Sequence, residues 1–188
     1  MIQEIIKMGN PILRYIAEPV TKEEIGSIEL NSLIQDMKDT LESVGGIGLA
    51  APQIGISKQL AIIHVPEDSE RYTESEASEE YIIINPKVSF IDHSLQGSWE
   101  GCLSVPGLRG YVKRPRKIRV DYIDTNSKNS SLEVEDFLAT VFQHELDHLL
   151  GHLYVDKIED TRHLMYEDEM QKIIEKEGAL SNLVGGGG

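Results

Sequence analysis

The chain has 188 residues, 40% of them apolar and 27% charged, enough for one domain with a packed core and a well-solvated surface. Eighteen basic against 32 acidic side chains give a net charge of −14, which argues against direct binding to DNA. No apolar run approaches the roughly 18 residues that span a bilayer, the opening "MIQEIIKMGNPIL" lacks the charged and apolar regions of an export signal, and Cys102 is the single cysteine, so no internal disulfide can form. The cytoplasm is the expected compartment.

Along the chain, Leu30, Leu33, Ile34, Met37, Leu41 and Val44 recur at helical spacing, so Ile28 to Val44 reads as an amphipathic helix covering a sheet. The glycine-rich "GGIGLAAPQIG" (45–55) ends it and reads as a loop or irregular extended segment. Four short runs of strand formers follow: Leu60 to Val65, Tyr81 to Asn85, "KVSFI" and "KIRVDYI". The acidic stretch 66–80 between the first two reads as an exposed loop, and "KRPRK" (Lys113 to Lys117) as a solvated strand face. Asp124 to Ser131 is a hairpin turn. Helical periodicity returns near Glu135 or Asp136 and runs to Gly151, and a last acidic helix is expected over Asp160 to Glu177. The expected architecture is α+β: residues 1–180 as a single domain, with mainly antiparallel sheets around a central helix and helices near both ends. Residues 181–188 are expected as a flexible tail.

The central helix carries the chemistry. "VFQHELDHLLG" places His144 and His148 four residues apart, one above the other on one face, with Glu145 beside them. Two imidazoles at that spacing can share a metal ion, and Glu145 is placed to serve a water on it. Two surface histidines next to a glutamate are the plainer alternative. A tetrahedral catalytic site needs a third protein ligand. The metzincin extension fails, because Tyr154 stands at its last position, and His152 lies beyond the expected helix end. Two sources stay open: Glu167 or Glu169 of the last helix, or Cys102 in "WEGCLSVPG", a segment that reads as irregular. A free cysteine is more often a small buried hydrophobe than a ligand, but a thiolate suits Zn²⁺ or Fe²⁺. "GIGLAA" matches a dinucleotide fingerprint at Gly46, Gly48 and Ala51, yet a helix precedes it and a strand follows, the reverse of what that motif needs.

Read together, "GIGLAAPQIG" (46–55), "EGCLS" (100–104) and "QHELDH" (143–148) resemble, in order, the three motifs of the peptide deformylases, and the likeness extends over roughly residues 5 to 160. The resemblance implies a fold built around a metal-binding helix, with Cys102, His144 and His148 as ligands and Glu145 as the catalytic carboxylate. It implies that Gln53 and the backbone N–H of Leu103 stabilise an oxyanion. The implied reaction removes the N-formyl group from the initiator methionine of new polypeptides and releases formate. Fe²⁺ is the implied native ion, with Zn²⁺, Ni²⁺ or Co²⁺ able to take its place. N-formylmethionyl nascent peptides are the implied substrates, and the ribosome near its exit tunnel the partner such substrates suggest.

The residue chemistry agrees with those roles. Amide hydrolysis needs a polarised water, a base and waiting donors; Glu145 supplies the base and Gln53 a neutral N–H donor. Positions three, four and seven before His144, which are Val141, Thr140 and Phe137, share its general face. They are expected to wall an apolar slot for the side chain next to the formyl group, with Gly46, Ile47 and Gly48 opposite. Val141 and Phe137 are equally suited to an ordinary core.

Overall fold

The computed structural model describes residues 1–66 and 78–178. Most of the acidic stretch 66–80 and all of the expected tail 181–188 lie outside the described residues.

Three helices and six strands follow in the order α1 (Ile28–Val44), β1 (Gly48–Ala50), β2 (Leu60–Ile63), β3 (Tyr81–Cys102), β4 (Val105–Ile123), β5 (Asn129–Glu135), α2 (Asp136–His148), β6 (Leu164–Tyr166) and α3 (Glu167–Glu177). The strands form one sheet, β1-β2-β3-β4-β5, with β6 added on β4, and every ladder is antiparallel. Among the described residues β1 therefore has a strand partner on one side only.

α1 starts where the Ser27 hydroxyl accepts the Leu30 N–H and stops at Gly45 in the left-handed region, φ +60°. Its stripe of Leu30, Ile34, Met37 and Leu41 packs on Leu49, Leu60, Ile62 and Ile84. The alternate residues Ala50, Ala61, Ile63 and Ile83 point the other way and meet Ala139, Val141, Phe142 and Leu146 of α2. That two-sided burial is why "LAII" of β2 is apolar at every position. α2 is thus the central helix, clamped by the sheet.

Several expected boundaries move. "YIIIN", "KVSFI" and "WEGC" merge into one bulged strand, β3, with register shifts at four places. Cys102 consequently ends a strand, paired with Val105 across a two-residue hairpin tip, and does not sit in irregular chain. Part of the glycine-rich loop is strand β1, followed by a 3-10 turn over Ala51–Ile54. α2 ends at His148, and Gly151 is the left-handed residue beyond it, φ +76°. The last helix begins at Glu167, because a 3-10 turn (Thr161–His163) and β6 occupy the preceding residues. "KRPRK" is not uniformly solvated: its alternation turns Arg114 inward, to 4% exposure.

Candidate active site

α2 brings His144 and His148 to one face, and the end of β3 brings Cys102 against them. The Cys102 Sγ lies 3.4 Å from His148 Nε2, and the three ligand atoms all fall within 4.8 Å of one another. Ligands at about 2.0–2.3 Å from a tetrahedral ion stand roughly 3.5 Å apart, so the spacing suits one small cation. Among the described residues this is the one group of three that could hold a metal. Glu167 instead takes the Arg109 guanidinium, Nε to Oε1 at 3.0 Å, and Glu169 takes Lys172. The two-histidine, one-glutamate arrangement has no support in this geometry. His152 is exposed, and Tyr154 stacks its ring on His144, centroids 6.0 Å apart.

Behind the ligands lies a buried ionic network. His144 Nδ1 meets Glu100 Oε2 at 2.8 Å, which leaves Nε2 for the cluster. Arg114 grips Glu100 through Nε at 2.6 Å and Nη2 at 2.9 Å, and its Nη1 donates to Asp147 at 2.8 Å. Burial alone would raise the Glu100 pKa; the bonds from His144 and Arg114 outweigh it and hold the carboxyl near 2. Burial lowers His148 and keeps it neutral, as a ligand must be. On His144 burial also opposes charge, but Cys102 and Glu100 override it and raise the pKa. The contacts around that ring therefore favour positive charge at this point, which a divalent cation would provide.

Glu145 is 6% exposed and its Oε2 has no hydrogen-bond partner. Burial pushes its carboxyl up to about 7. A carboxyl poised there can take a proton and return it near neutral pH. Its place depends on Gly48, because a Cβ at that position would come within 2.4 Å of Glu145 Oε1. Gln53 is 1% exposed and its amide orientation is fixed. The Ala50 N–H donates to Oε1 at 2.8 Å, which turns Nε2 toward Cys102 Sγ (3.6 Å) and Ser104 Oγ (3.4 Å).

A cleft of about 340 Å³ opens over this cluster, lined by Gly46, Ile47, Gly48, Leu103, Pro106 and Leu108. Gln53, Cys102, His144 and Glu145 form its floor. Phe137, Thr140 and Val141 do not line this cleft. Val141, 5% exposed, belongs to the core beneath, with Ile47 and Phe137 packed half-buried against the same cluster. Thr140 Oγ1 accepts from Gln96 Nε2 at 3.1 Å.

Sequence reasoning missed Glu100, Arg114 and Asp147. Glu100 stands in "EGCLS" two residues before Cys102, on the same strand face, and that spacing is its signal in the sequence. Arg114 had none beyond strand alternation.

A half-buried thiol and two buried imidazoles with a poised carboxylate and a fixed amide donor, under an open cleft, define a metal-dependent hydrolase. Comparison with known proteins makes this particular. The family model for polypeptide deformylase matches residues 2–163. Peptide deformylase 2 of Pseudomonas syringae pv. tomato is 47% identical over 170 residues, covering 90% of this chain and 94% of its own. The peptide deformylase of Leptospira biflexa is 43% identical over 169 residues, with the same coverage, 90% and 94%. Among solved structures, the class I type b peptide deformylase of Acinetobacter baumannii with Met-Ala-Ser bound superposes with a TM-score of 0.80 at 34% identity, covering 84% of this chain and 99% of that one. The chain belongs to the polypeptide deformylase family.

Proposed function

We propose that this chain hydrolyses the N-formyl group from the initiator methionine of newly made polypeptides and releases formate, the reaction of its family, with each step assigned to a named residue. The observation that carries this reading is the convergence of five side chains on one point. Cys102, His144 and His148 would hold one divalent ion, while the Glu145 carboxyl and the Gln53 amide aim at the same cleft floor. When bound, such an ion supplies Lewis-acid polarisation of the formyl oxygen and acidifies a water. Fe²⁺ is the proposed working ion, and Zn²⁺, Ni²⁺ and Co²⁺ suit the same donors.

Glu145 takes a proton from the attacking water as its oxygen bonds to the formyl carbon. Gln53 Nε2 and the Leu103 N–H donate to the oxyanion that develops. Glu145 then passes the proton to the departing amine nitrogen as the C–N bond breaks, leaving formate and a free amino terminus. The peptide backbone is proposed to lie extended along the open edge of β1 at Gly48 and past the preceding Gly46 and Ile47. Phe137, Thr140 and Val141 are proposed to back the slot for the first side chain from behind Ile47 rather than from the cleft surface, supported by the shared packing of Ile47, Phe137 and Val141. The Met-Ala-Ser peptide in the Acinetobacter structure supports a peptide substrate here.

Nascent N-formylmethionyl chains imply action in the cytoplasm near the ribosomal exit tunnel, which co-sedimentation with translating ribosomes at physiological salt tests. No helix of the described residues is long and apolar enough to cross a membrane. The decisive experiment measures formate release from a short formyl-methionyl peptide by anaerobically prepared, metal-loaded protein. Rapid release is expected. No release from fully loaded protein would point to a metal-stabilised binding module instead.

A further inference from the structure

The two proposed oxyanion donors lie on separate pieces of chain, Gln53 on the 3-10 turn after β1 and Leu103 at the β3–β4 hairpin tip. Their direct contacts are long: Gln53 Nε2 reaches Ser104 Oγ at 3.4 Å and Cys102 Sγ at 3.6 Å. A third piece joins them more tightly. The backbone N–H of Ile6 donates to the Gln53 carbonyl at 2.8 Å, and that of Met8 to the Ser104 carbonyl at 2.7 Å. The segment is fixed at both ends. On one side the Gln3 N–H donates to Thr40 Oγ1 of α1 at 2.8 Å, and Ile5 packs in the α1 cluster. On the other, Asn10 N–H closes a turn on Lys7 at 3.0 Å, with Gly9 at φ +111°.

We propose that Ile6 and Met8 are positioning residues for the hydrolysis, whose backbone N–H groups set the separation of the Gln53 amide and the hairpin tip carrying Leu103. The inference rests on the oxyanion roles proposed above. Donors must lie about 2.7–3.1 Å from where the oxyanion forms, so a tolerance of a few tenths of an ångström spans two short loops. A segment anchored on α1 and bonded to both loops supplies that tolerance without touching substrate.

Proline tests this directly, because it lacks the N–H. Met8 is the second residue of the Lys7–Asn10 turn, a position that favours proline, so Met8→Pro keeps the turn and removes the bond to Ser104. A loss of about 10- to 100-fold in kcat is expected, because a shift near 1 Å costs about 10²-fold and a whole donor about 10²–10³. KM should stay within about twofold, and the metal content should stay full. Met8→Ala retains the N–H and should keep full kcat. Ile6→Pro should cost less in a Gln53→Ala background than alone, since both act through one donor.

Unchanged kcat in both proline variants overturns the proposal, as does a cycle in which the losses multiply, or loss of metal from Met8→Pro. Full kcat in Gln53→Ala alone would overturn the oxyanion reading instead. If Ile6→Pro does not fold, the comparison of Met8→Pro with Met8→Ala carries the test.

Discussion

Gly48→Ala is a one-carbon change with a computable consequence. The new methyl would lie 2.4 Å from Glu145 Oε1 and 2.5 Å from Cδ and Cγ, where ordinary contact begins at 3.4 Å. Gly48 is not among the glycines with positive φ, so the backbone accepts alanine and the collision falls on the carboxylate. It must retreat by about 1 Å, and a misplacement of that size in a reacting group costs on the order of 10²-fold in kcat. Overpacking should also cost about 1–3 kcal/mol of stability, offset by about 0.4–1 kcal/mol from the stiffer unfolded chain. The two effects separate in a Glu145→Ala background, where the colliding atoms are gone and Gly48→Ala should be neutral or slightly stabilising. The assay is kcat and KM from formate release with metal content verified, together with urea unfolding of the four proteins in the cycle. Undiminished kcat in Gly48→Ala, or the same stability loss in both backgrounds, would refute the proposed contact.

Cys102→Ala should lose tight metal binding along with activity, and elemental analysis showing a filled site would move the third ligand elsewhere. Arg114→Met leaves Glu100 buried with only His144 to pair it, which should cost about 3–5 kcal/mol and lower metal affinity about 10- to 100-fold through His144; thermal unfolding and metal titration check both. Formyl-Met peptides should be preferred over formyl-Ala by roughly 10- to 200-fold in kcat/KM, and Val141→Trp should shrink that ratio with metal retained; equal rates in the unmodified protein would remove the slot. The Fe²⁺ form should lose activity in air while the Ni²⁺ form survives, and equal decay would argue against iron.

What could be read from the sequence follows the range of the interactions. His144 and His148 were visible because an i, i+4 pair is a local property of a helix, and α1 because its apolar stripe is periodic. Cys102 became visible only beside them, as the one thiol in a chain already offering two ligands. Its strand conformation was hidden, because Gly101, Pro106 and Gly107 read as loop while the structure folds them into a tight hairpin with a register shift. In the sequence Gly48 reads only as one side of a substrate slot. The room it also makes for Glu145 depends on β1 packing against α2, a contact between residues 97 positions apart that no local pattern encodes. Arg114 stood in a basic run, where sequence gives no means of telling which cation turns inward.

The spacings of two motifs explain each other once strand and helix are laid together. Two residues along a strand advance about 6.6 Å, and four along a helix about 6 Å. Glu100 and Cys102 on β3 therefore keep step with His144 and His148 on α2: Glu100 backs His144 at 2.8 Å while Cys102 reaches His148 at 3.4 Å. Gln96, four residues before Glu100 on the strand, donates to the Asp136 carbonyl two helix turns before His144 and also reaches Thr140 Oγ1 at 3.1 Å. The strand thus supplies, in turn, a bond to the expected substrate wall, the carboxylate that orients one ligand, and the thiol beside the other. Glu145, the residue after His144, turns instead toward Gly48, its Oε1 lying 2.4 Å from where a Cβ at that glycine would stand. Cys102, His144 and Glu145 thus meet in the lining of one cleft, where the proposed base stands beside the candidate ligands and the amide to be cleaved is proposed to sit.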